Sequence, residues 1–584
     1  MRDVRLTTGQ ALVRWLTAQW SERDGERRRA VPALWGIFGH GNVLGLGQAV
    51  AHEGAELYQP KHEQAMVHAA LGFAKAARRL QLHACTASIG PGATNLLTGA
   101  ATATVNRLPV LLLPADTFAS RRPGVVLQQL EHPSEGDLTV NDAFRPLSRH
   151  FDRVARPEQL LTALPAALRV LLDPAETGAV TVALHQDVLG EAYDWPAEFF
   201  APRTWLISRR PPAEEELAAA ADVLATARRP LIVAGGGVRY SAAEDALAAF
   251  ARATGIPVAE TSAGKGVMAA DPLHLGGLGV NGTGAAAEIA ARADVVLCVG
   301  TRLTDFTTGS LSVFADPAVQ FVAINVCAAD AFKLAATPVV ADARLALDAL
   351  RARLTPAPPR PEIAAARARW NAALTTTGAF DRRAVYATVN ASARAGDWVV
   401  AAAGWTPGDL LKLWTVPEGG HAHLEFGFSC MGHELPAALG IRMHTGPEPE
   451  VVAIVGDGSL LMAPSELVTA VQHGLKATIV VIDNAGFGSI DALARDTVGV
   501  SVGNRFDGVA VDYAALAEAL GCRGVRATDP GKLADALAQA RAGDGTTVIH
   551  CPVVDGETPG SGVFWDLGVP EEIAFARPAQ RRLH

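Results

Sequence analysis

VVAIVGDGSLLM, residues 451–462, is an apolar run that breaks at two glycines with an acid between them. The run reads as a buried strand, and the Gly-Asp-Gly-Ser turn as the entry to a helix. Turns of this kind, between a parallel strand and a helix, usually receive phosphate, because backbone N–H groups and the helix N-terminus favour an anion. Asp457 is out of place there unless a cation lies between it and the anion. A second stretch answers it: ATIVVIDNAGFGS, residues 477–489, is another apolar strand that opens at Asn484 into a glycine-containing loop. The interval PSELVTAVQHGLK reads as a helix. Asp457 and Asn484 are therefore expected at the carboxyl ends of two parallel strands joined by one crossover, facing the crevice where open α/β sheets bind ligands. A carboxylate, an amide oxygen and the backbone at Gly486 form an all-oxygen set suited to Mg²⁺, which combines a few protein oxygens with phosphate oxygens and water. Taken singly, Asp457 could cap a helix and Asn484 could close a local turn.

The rest of the chain fits an enzyme-sized α/β protein. It has 584 residues, 49% hydrophobic and 19% charged, too many for a single core. Its 51 basic and 60 acidic residues give a formal charge of −9, which argues against nucleic acid or an anionic membrane as the main partner. Six cysteines occur without zinc-ligand spacing, several within apolar runs such as ADVVLCVG, as expected of reduced core thiols in a cytoplasmic protein. The N-terminal MRDVRLTTGQALVRWL mixes charge into an amphipathic helical pattern, unlike a signal peptide, and no apolar run is long enough for a membrane span.

Apolar strand-like runs alternate with helical stretches three times over. ALWGIFG, AELYQP, HACTAS, PVLLLPA and AVTVALH make a first parallel sheet; RPLIVAGGGV, GIPVAET, ADVVLCVG and QFVAINV a second; DWVVAAAG, PEVVAIVGDGS, ATIVVIDN and TTVIHCP a third. Proline-rich linkers near 200 and 360 divide the chain into three Rossmann-like α/β domains: 1–200, 201–360 and 361–584. GHGNVLGLG has the wrong spacing for a dinucleotide fingerprint, and the GGG at 235–237 lacks an acidic ribose ligand, so both read as tight turns.

Strand-GDG, helix, strand-DN-x-G resembles the thiamine diphosphate (ThDP) enzymes, in which this motif holds Mg²⁺ and the cofactor's diphosphate. The resemblance implies Asp457, Asn484 and Gly486 as metal ligands, with Gly456, Gly458 and Ser459 at the diphosphate. It also asks for a first-domain glutamate against the aminopyrimidine ring, and Glu63 in YQPKHEQAMVHAA matches it. Such a carboxyl shares a proton with the ring and favours the tautomer that deprotonates thiazolium C2, so the cofactor carries its own base. FGFSCMGHELPAALG, 426–440, is similar to the segment carrying the cofactor's bend, with the Ser429 carbonyl at the pyrimidine amino group and Met431 as an apolar wedge. AAGWTPGDL falls where relatives place a second diphosphate loop, through Gly404, Trp405 and Thr406, and TASIGPGATNLLTG matches the Gly-Pro-Gly turn of the first domain. In the family, active sites form between subunits, which implies a homodimer or homotetramer. Some members keep FAD in the middle domain, and GTRLTDF, 300–306, is compatible with a ligand loop or a plain turn.

Longer strings narrow the resemblance within the family. IFGHGNVLGLGQA, PADTFASRRPGVVLQQLE, QDVLGEAYDWP and SGVFWDLGVPE are similar to members that hydrolyse the carbon–carbon bond between adjacent ketones of a polyhydroxylated cyclic dione. His40, Gln128 and Gln129 are then the candidates for substrate contacts, although His40 could also be a turn histidine. The chain departs from that subgroup at His62, at Trp405-Thr406 and at Ala485, and is shorter after Thr497. An acetolactate synthase-like carboligase, a 2-oxoacid decarboxylase, or a non-catalytic scaffold or regulatory protein retaining the fold are the alternatives.

Overall fold

The computed structural model describes residues 3–268, 271–356, 360–374, 378–554 and 556–568. Three six-stranded sheets carry the architecture, and every strand pair in them is parallel. Their central strands are apolar on both faces, as in Val110–Asp116 and Ala179–His185, where every residue is buried. With strands numbered in chain order within each sheet, the first and third sheets both run 2-1-3-4-6-5, whereas the second runs 3-2-1-4-5-6. The strand order of the first and third sheets therefore reverses between strand 1 and strand 3, and the crevice at such a reversal is where α/β sheets bind ligands. In the third sheet those strands are Trp398–Ala401 and Val451–Gly456, whose carboxyl ends lead into Gly404–Thr406 and Asp457. In the first they are Leu34–Gly36 and Ala84–Ala87, which lead to His40 and to the Gly-Pro-Gly turn.

The chain forms two compact units. The first comprises Met1–Ser208 with Leu435–Glu448 and Ala463–Ala477, and the second the remainder. Within the first unit, the helix Glu63–Ala76 crosses the helix Glu434–Thr445 at two glycines. A Cβ on Gly440 would lie 1.8 Å from the Ala69 carbonyl oxygen, and one on Gly72 2.1 Å from that of Ala437. Only residues without a side chain permit that approach.

Several local expectations are revised. The N-terminal helix starts at Thr8, because Thr7 and Gln10 form a reciprocal cap, and the residues before it make a strand, Val4–Thr7, paired antiparallel with Ala192–Trp195. The linker expected at 194–206 contains the strand Arg203–Leu206, which pairs with Gln19–Arg23. Among the described residues no helix is long and apolar enough to cross a membrane. All six cysteines are free, and Cys85, Cys298, Cys522 and Cys551 are buried.

Candidate active site

The second unit gathers the residues expected at the metal and diphosphate. Asp457 opens the short helix Asp457–Leu460 and is 1% exposed. Its Oδ1 accepts from the Gly458 N–H and its Oδ2 from the Gly486 N–H, both at 2.9 Å, so one carboxylate ties the GDG turn to the loop after Asn484. The Asn484 amide lies against the same two groups. In one orientation its Nδ2 donates to the Gly486 carbonyl at 2.9 Å and to Asp457 Oδ1 at 3.2 Å. In the other its oxygen takes that place and three oxygens converge. The amide's two separations, 2.9 and 3.2 Å, are close to the roughly 3.0 Å edge of an octahedron with metal–oxygen bonds of about 2.1 Å, so the donor set fits Mg²⁺ and a bound cation would select this orientation. Among the described residues no group of three His, Cys, Asp or Glu side chains is disposed to hold a metal. A site of one carboxylate, one amide and one carbonyl leaves the remaining positions to phosphate and water.

The field around Asp457 also suits a cation. Burial is the main cause that pushes its carboxyl up to about 6, and the neighbouring Asp483 adds to it, against the N–H bonds of Gly486 and Gly458. Asp483 is held below the usual carboxylate range despite burial, chiefly by its 2.8 Å bond to His550 Nε2. Phe487 seats its ring over Gly458, where a Cβ would lie 2.5 Å from the ring.

The expected diphosphate loop lies beside this turn. A Cβ on Gly488 would meet both Asn484 Nδ2 at 1.9 Å and Trp405 Cζ3 at 2.7 Å, and Gly404 faces Ser489. Trp405, one of the departures, is covered by the Arg382 guanidinium 3.6 Å from its ring centroid, and Arg382 is paired in turn with buried Asp409 at 2.6 Å. Thr406 is 4% exposed, and its carbonyl accepts from Tyr386 Oη at 2.6 Å. Ser459 is also tied to its own protein: its hydroxyl accepts from the Gly432 N–H at 2.9 Å and donates to Glu434. Its hydroxyl is therefore engaged within the protein. Met431, which as ordinary core filling would be buried, is 37% exposed, two residues after Ser429, which has a left-handed φ of 54°.

The sequence reading singled out neither Glu425 nor Glu434. Both are fully buried. Glu434 accepts from Ser459 and from the Ala403 N–H at 3.2 Å, and burial pushes its carboxyl up to about 7. The only signal in the sequence is that acids flank the loop in EFGFSCMGHE.

In the first unit, Glu63 is the first residue of its helix, capped by His62, whose Nδ1 accepts from the Gln64 N–H at 3.1 Å. His62 thus supplies the capping acceptor at that departure from the family. Glu63 Oε2 accepts from Asn95 Nδ2 at 3.0 Å, and Oε1 lies over Gly92 of the Gly-Pro-Gly turn. The segment 88–92 is a hub. The turn carrying His40 rests on it through the Gly41 N–H to Ser88 Oγ, 3.3 Å, and Gln128 packs its backbone against Gly90. The segment thus ties Glu63 to the turns carrying the substrate candidates. His40 and Gln128 are exposed. Gln129 is turned inward, with Nε2 and Oε1 both buried and without a partner among the described residues.

The 300–306 turn engages the chain's own C-terminal stretch. Asp305 accepts from Trp565 Nε1 at 2.7 Å, and the Phe306 ring stands edge-on to both Trp565 and Phe426. The glycines at 235–237 form a tight turn against Gly300.

Comparison with known proteins covers the same segments. Residues 27–135 match the N-terminal TPP binding domain of thiamine pyrophosphate enzymes, 217–350 their central domain and 402–551 their C-terminal TPP binding domain. Over 98% of its length the chain is 43% identical to a 3D-(3,5/4)-trihydroxycyclohexane-1,2-dione hydrolase of Geobacillus thermodenitrificans (strain NG80-2), of which 96% is covered. It is 42% identical to a second protein of that description from Shouchella clausii (strain KSM-K16) and 41% identical to one from Bacillus cereus (strain AH820), over the same shares of both chains.

Proposed function

The chain belongs to the thiamine pyrophosphate enzyme family, and from that premise we propose that it hydrolyses the carbon–carbon bond between the adjacent ketones of 3D-(3,5/4)-trihydroxycyclohexane-1,2-dione. Water adds across the broken bond and the ring opens to 5-deoxy-D-glucuronate, a step of myo-inositol catabolism in the cytoplasm. The observation that carries this reading is 41–43% identity, over 98% of the chain, to proteins named as hydrolases of that dione.

Bound ThDP supplies a carbon nucleophile and an electron sink for breaking a bond between two carbonyl carbons. The protein's residues hold it and its proton. Asp457 Oδ1, Asn484 Oδ1 and the Gly486 carbonyl hold Mg²⁺; Gly456, Gly458, Ser459 and the 404–406 loop receive the diphosphate. With Asn95 on its Oε2, Glu63 offers Oε1 to the aminopyrimidine ring and shares a proton with it. The Ser429 carbonyl receives the ring's amino group and Met431 supports its bend. His40, Gln128 and Gln129 face the substrate's hydroxyls and carbonyls.

The segments 1–200, 201–360 and 361–584 act in this reading as pyrimidine-binding, central and diphosphate-binding domains. Subunits pair as a homodimer or homotetramer, which places active sites at their interface.

A ring-opening assay tests the proposal. New carboxylate should form from the dione only with both ThDP and Mg²⁺ present. Acetolactate or acetaldehyde from pyruvate, with no cleavage of the dione, would overturn it.

A further inference from the structure

Glu425 directly follows the strand His421–Leu424 and is 0% exposed. Its Oε1 accepts from the N–H groups of Phe428, at 2.8 Å, and Ser429, at 3.3 Å; its Oε2 accepts from that of Cys430 at 2.8 Å. Three successive N–H groups thus turn inward onto one carboxylate. No peptide bond among the described residues is cis, and in a trans peptide the N–H and C=O point in opposite directions. The peptide between Ser429 and Cys430 has its N–H on Glu425. Its other end, the Ser429 carbonyl, must therefore point away from the carboxylate. Ser429 holds a left-handed backbone, which costs free energy for a residue with a side chain, and its N–H bond to the buried carboxylate, with those of its neighbours, holds it there.

We propose that Glu425 is a positioning residue that aims the Ser429 carbonyl at the aminopyrimidine of ThDP. The assignment rests on the cofactor reading above. A glutamine at this position has one acceptor oxygen, and its NH₂ would confront a backbone N–H, so at least one of the three donors loses its partner and the peptide is free to turn. The loop's bond to the GDGS turn, from the Gly432 N–H to Ser459 Oγ, does not involve Glu425 and survives the substitution, so the diphosphate end should not register the change.

Calorimetry with two probes separates the ends of the cofactor: ThDP with Mg²⁺, and inorganic pyrophosphate with Mg²⁺. In Glu425→Gln, ThDP should bind about 10- to 100-fold more weakly, the cost of one or two unsatisfied donors, while pyrophosphate binds as to the wild type. Glu425→Asp, which keeps the charge on a shorter arm, should recover part of the ThDP affinity. Unchanged ThDP binding would overturn the proposal, and so would a parallel loss of both ligands, which would make Glu425 a residue of the fold alone. Should Glu425→Gln not fold, Glu425→Asp carries the same comparison, with selective loss for ThDP expected and a parallel loss or none overturning it. A wild-type protein that binds pyrophosphate but not ThDP would instead sink the cofactor reading itself.

Discussion

The Ser459 hydroxyl donates to both carboxyl oxygens of Glu434, at 3.1 and 2.8 Å. Because Glu434 also takes the Ala403 N–H and Ser459 the Gly432 N–H, this one contact joins three segments proposed to face the cofactor: the turn after strand 1 of the third sheet, the GDGS turn and the loop ending at Gly432. An acid performs this task while wholly buried, and its carboxyl is pushed up to about 7 by that burial.

The elevation makes stability depend on pH in a stated direction. Unfolded, Glu434 ionises near its ordinary 4.5; folded, it keeps its proton to about 7. The native state therefore binds more protons between those values, and this residue's contribution falls as pH rises through that window. Glu434→Gln removes the effect. Thermal unfolding of the variant relative to wild type should shift upward from pH 5 to pH 7 and stay level above it; a constant difference would contradict the assignment.

Glu63→Gln should retain ThDP and Mg²⁺ within the accuracy of a calorimetric titration, since Asn95 can still meet an amide oxygen. Exchange of the thiazolium C2 proton for deuterium, followed by acid quench and NMR, should slow by about 10²–10⁴-fold, the range expected for loss of an acid–base partner. Full turnover in this variant would remove Glu63 from its assigned role.

Asp457→Ala should abolish Mg²⁺-dependent retention of ThDP on gel filtration. In the wild type a proton competes with the metal for the same carboxylate, whose value lies at about 6. Mg²⁺ affinity in the presence of ThDP should be steady at pH 7.5 and above, and fall about tenfold per unit below pH 6. Titrations at pH 5 and pH 7.5 that gave equal affinity would show that Asp457 is not a ligand.

Gly440→Ala tests the helix crossing. The new Cβ would meet backbone, 1.8 Å from the Ala69 oxygen, which no rotamer change relieves. The helices must separate, at a cost of about 1–3 kcal/mol, read as a lowered unfolding midpoint in urea.

How much was legible in the sequence follows from burial. The central strands are apolar on both faces and could be read directly; five strands that were not read, His150–Val154, His274–Gly277, Thr337–Val339, His421–Leu424 and Arg523–Arg526, all lie at sheet edges. An edge strand is covered on fewer sides, so polar residues replace the apolar run; Arg523–Arg526 has no buried residue. The GDG and DN turns were legible because each ends an unbroken apolar run, and the structure pairs those two runs as adjacent parallel strands. Glu425 and Glu434 were not, because a glutamate in a sequence looks solvated until the fold encloses it. The shared 2-1-3-4-6-5 order of the first and third sheets was equally hidden, since it depends on which strands pair and not on their composition.

Gln129 offers the last test, because its amide stands buried and without a partner among the described residues. Leaving a donor and an acceptor unsatisfied costs about 1–3 kcal/mol, and a fold that only needed filler here would be better served by leucine. Gln129→Leu should therefore unfold at a higher temperature than wild type while its kcat/KM for the dione falls at least about tenfold, the loss of one substrate hydrogen bond. ThDP affinity should not change. A stabilised variant with full activity would show the amide to be idle, whereas a destabilised one would mean that it has a partner the isolated chain does not provide, as a second subunit would.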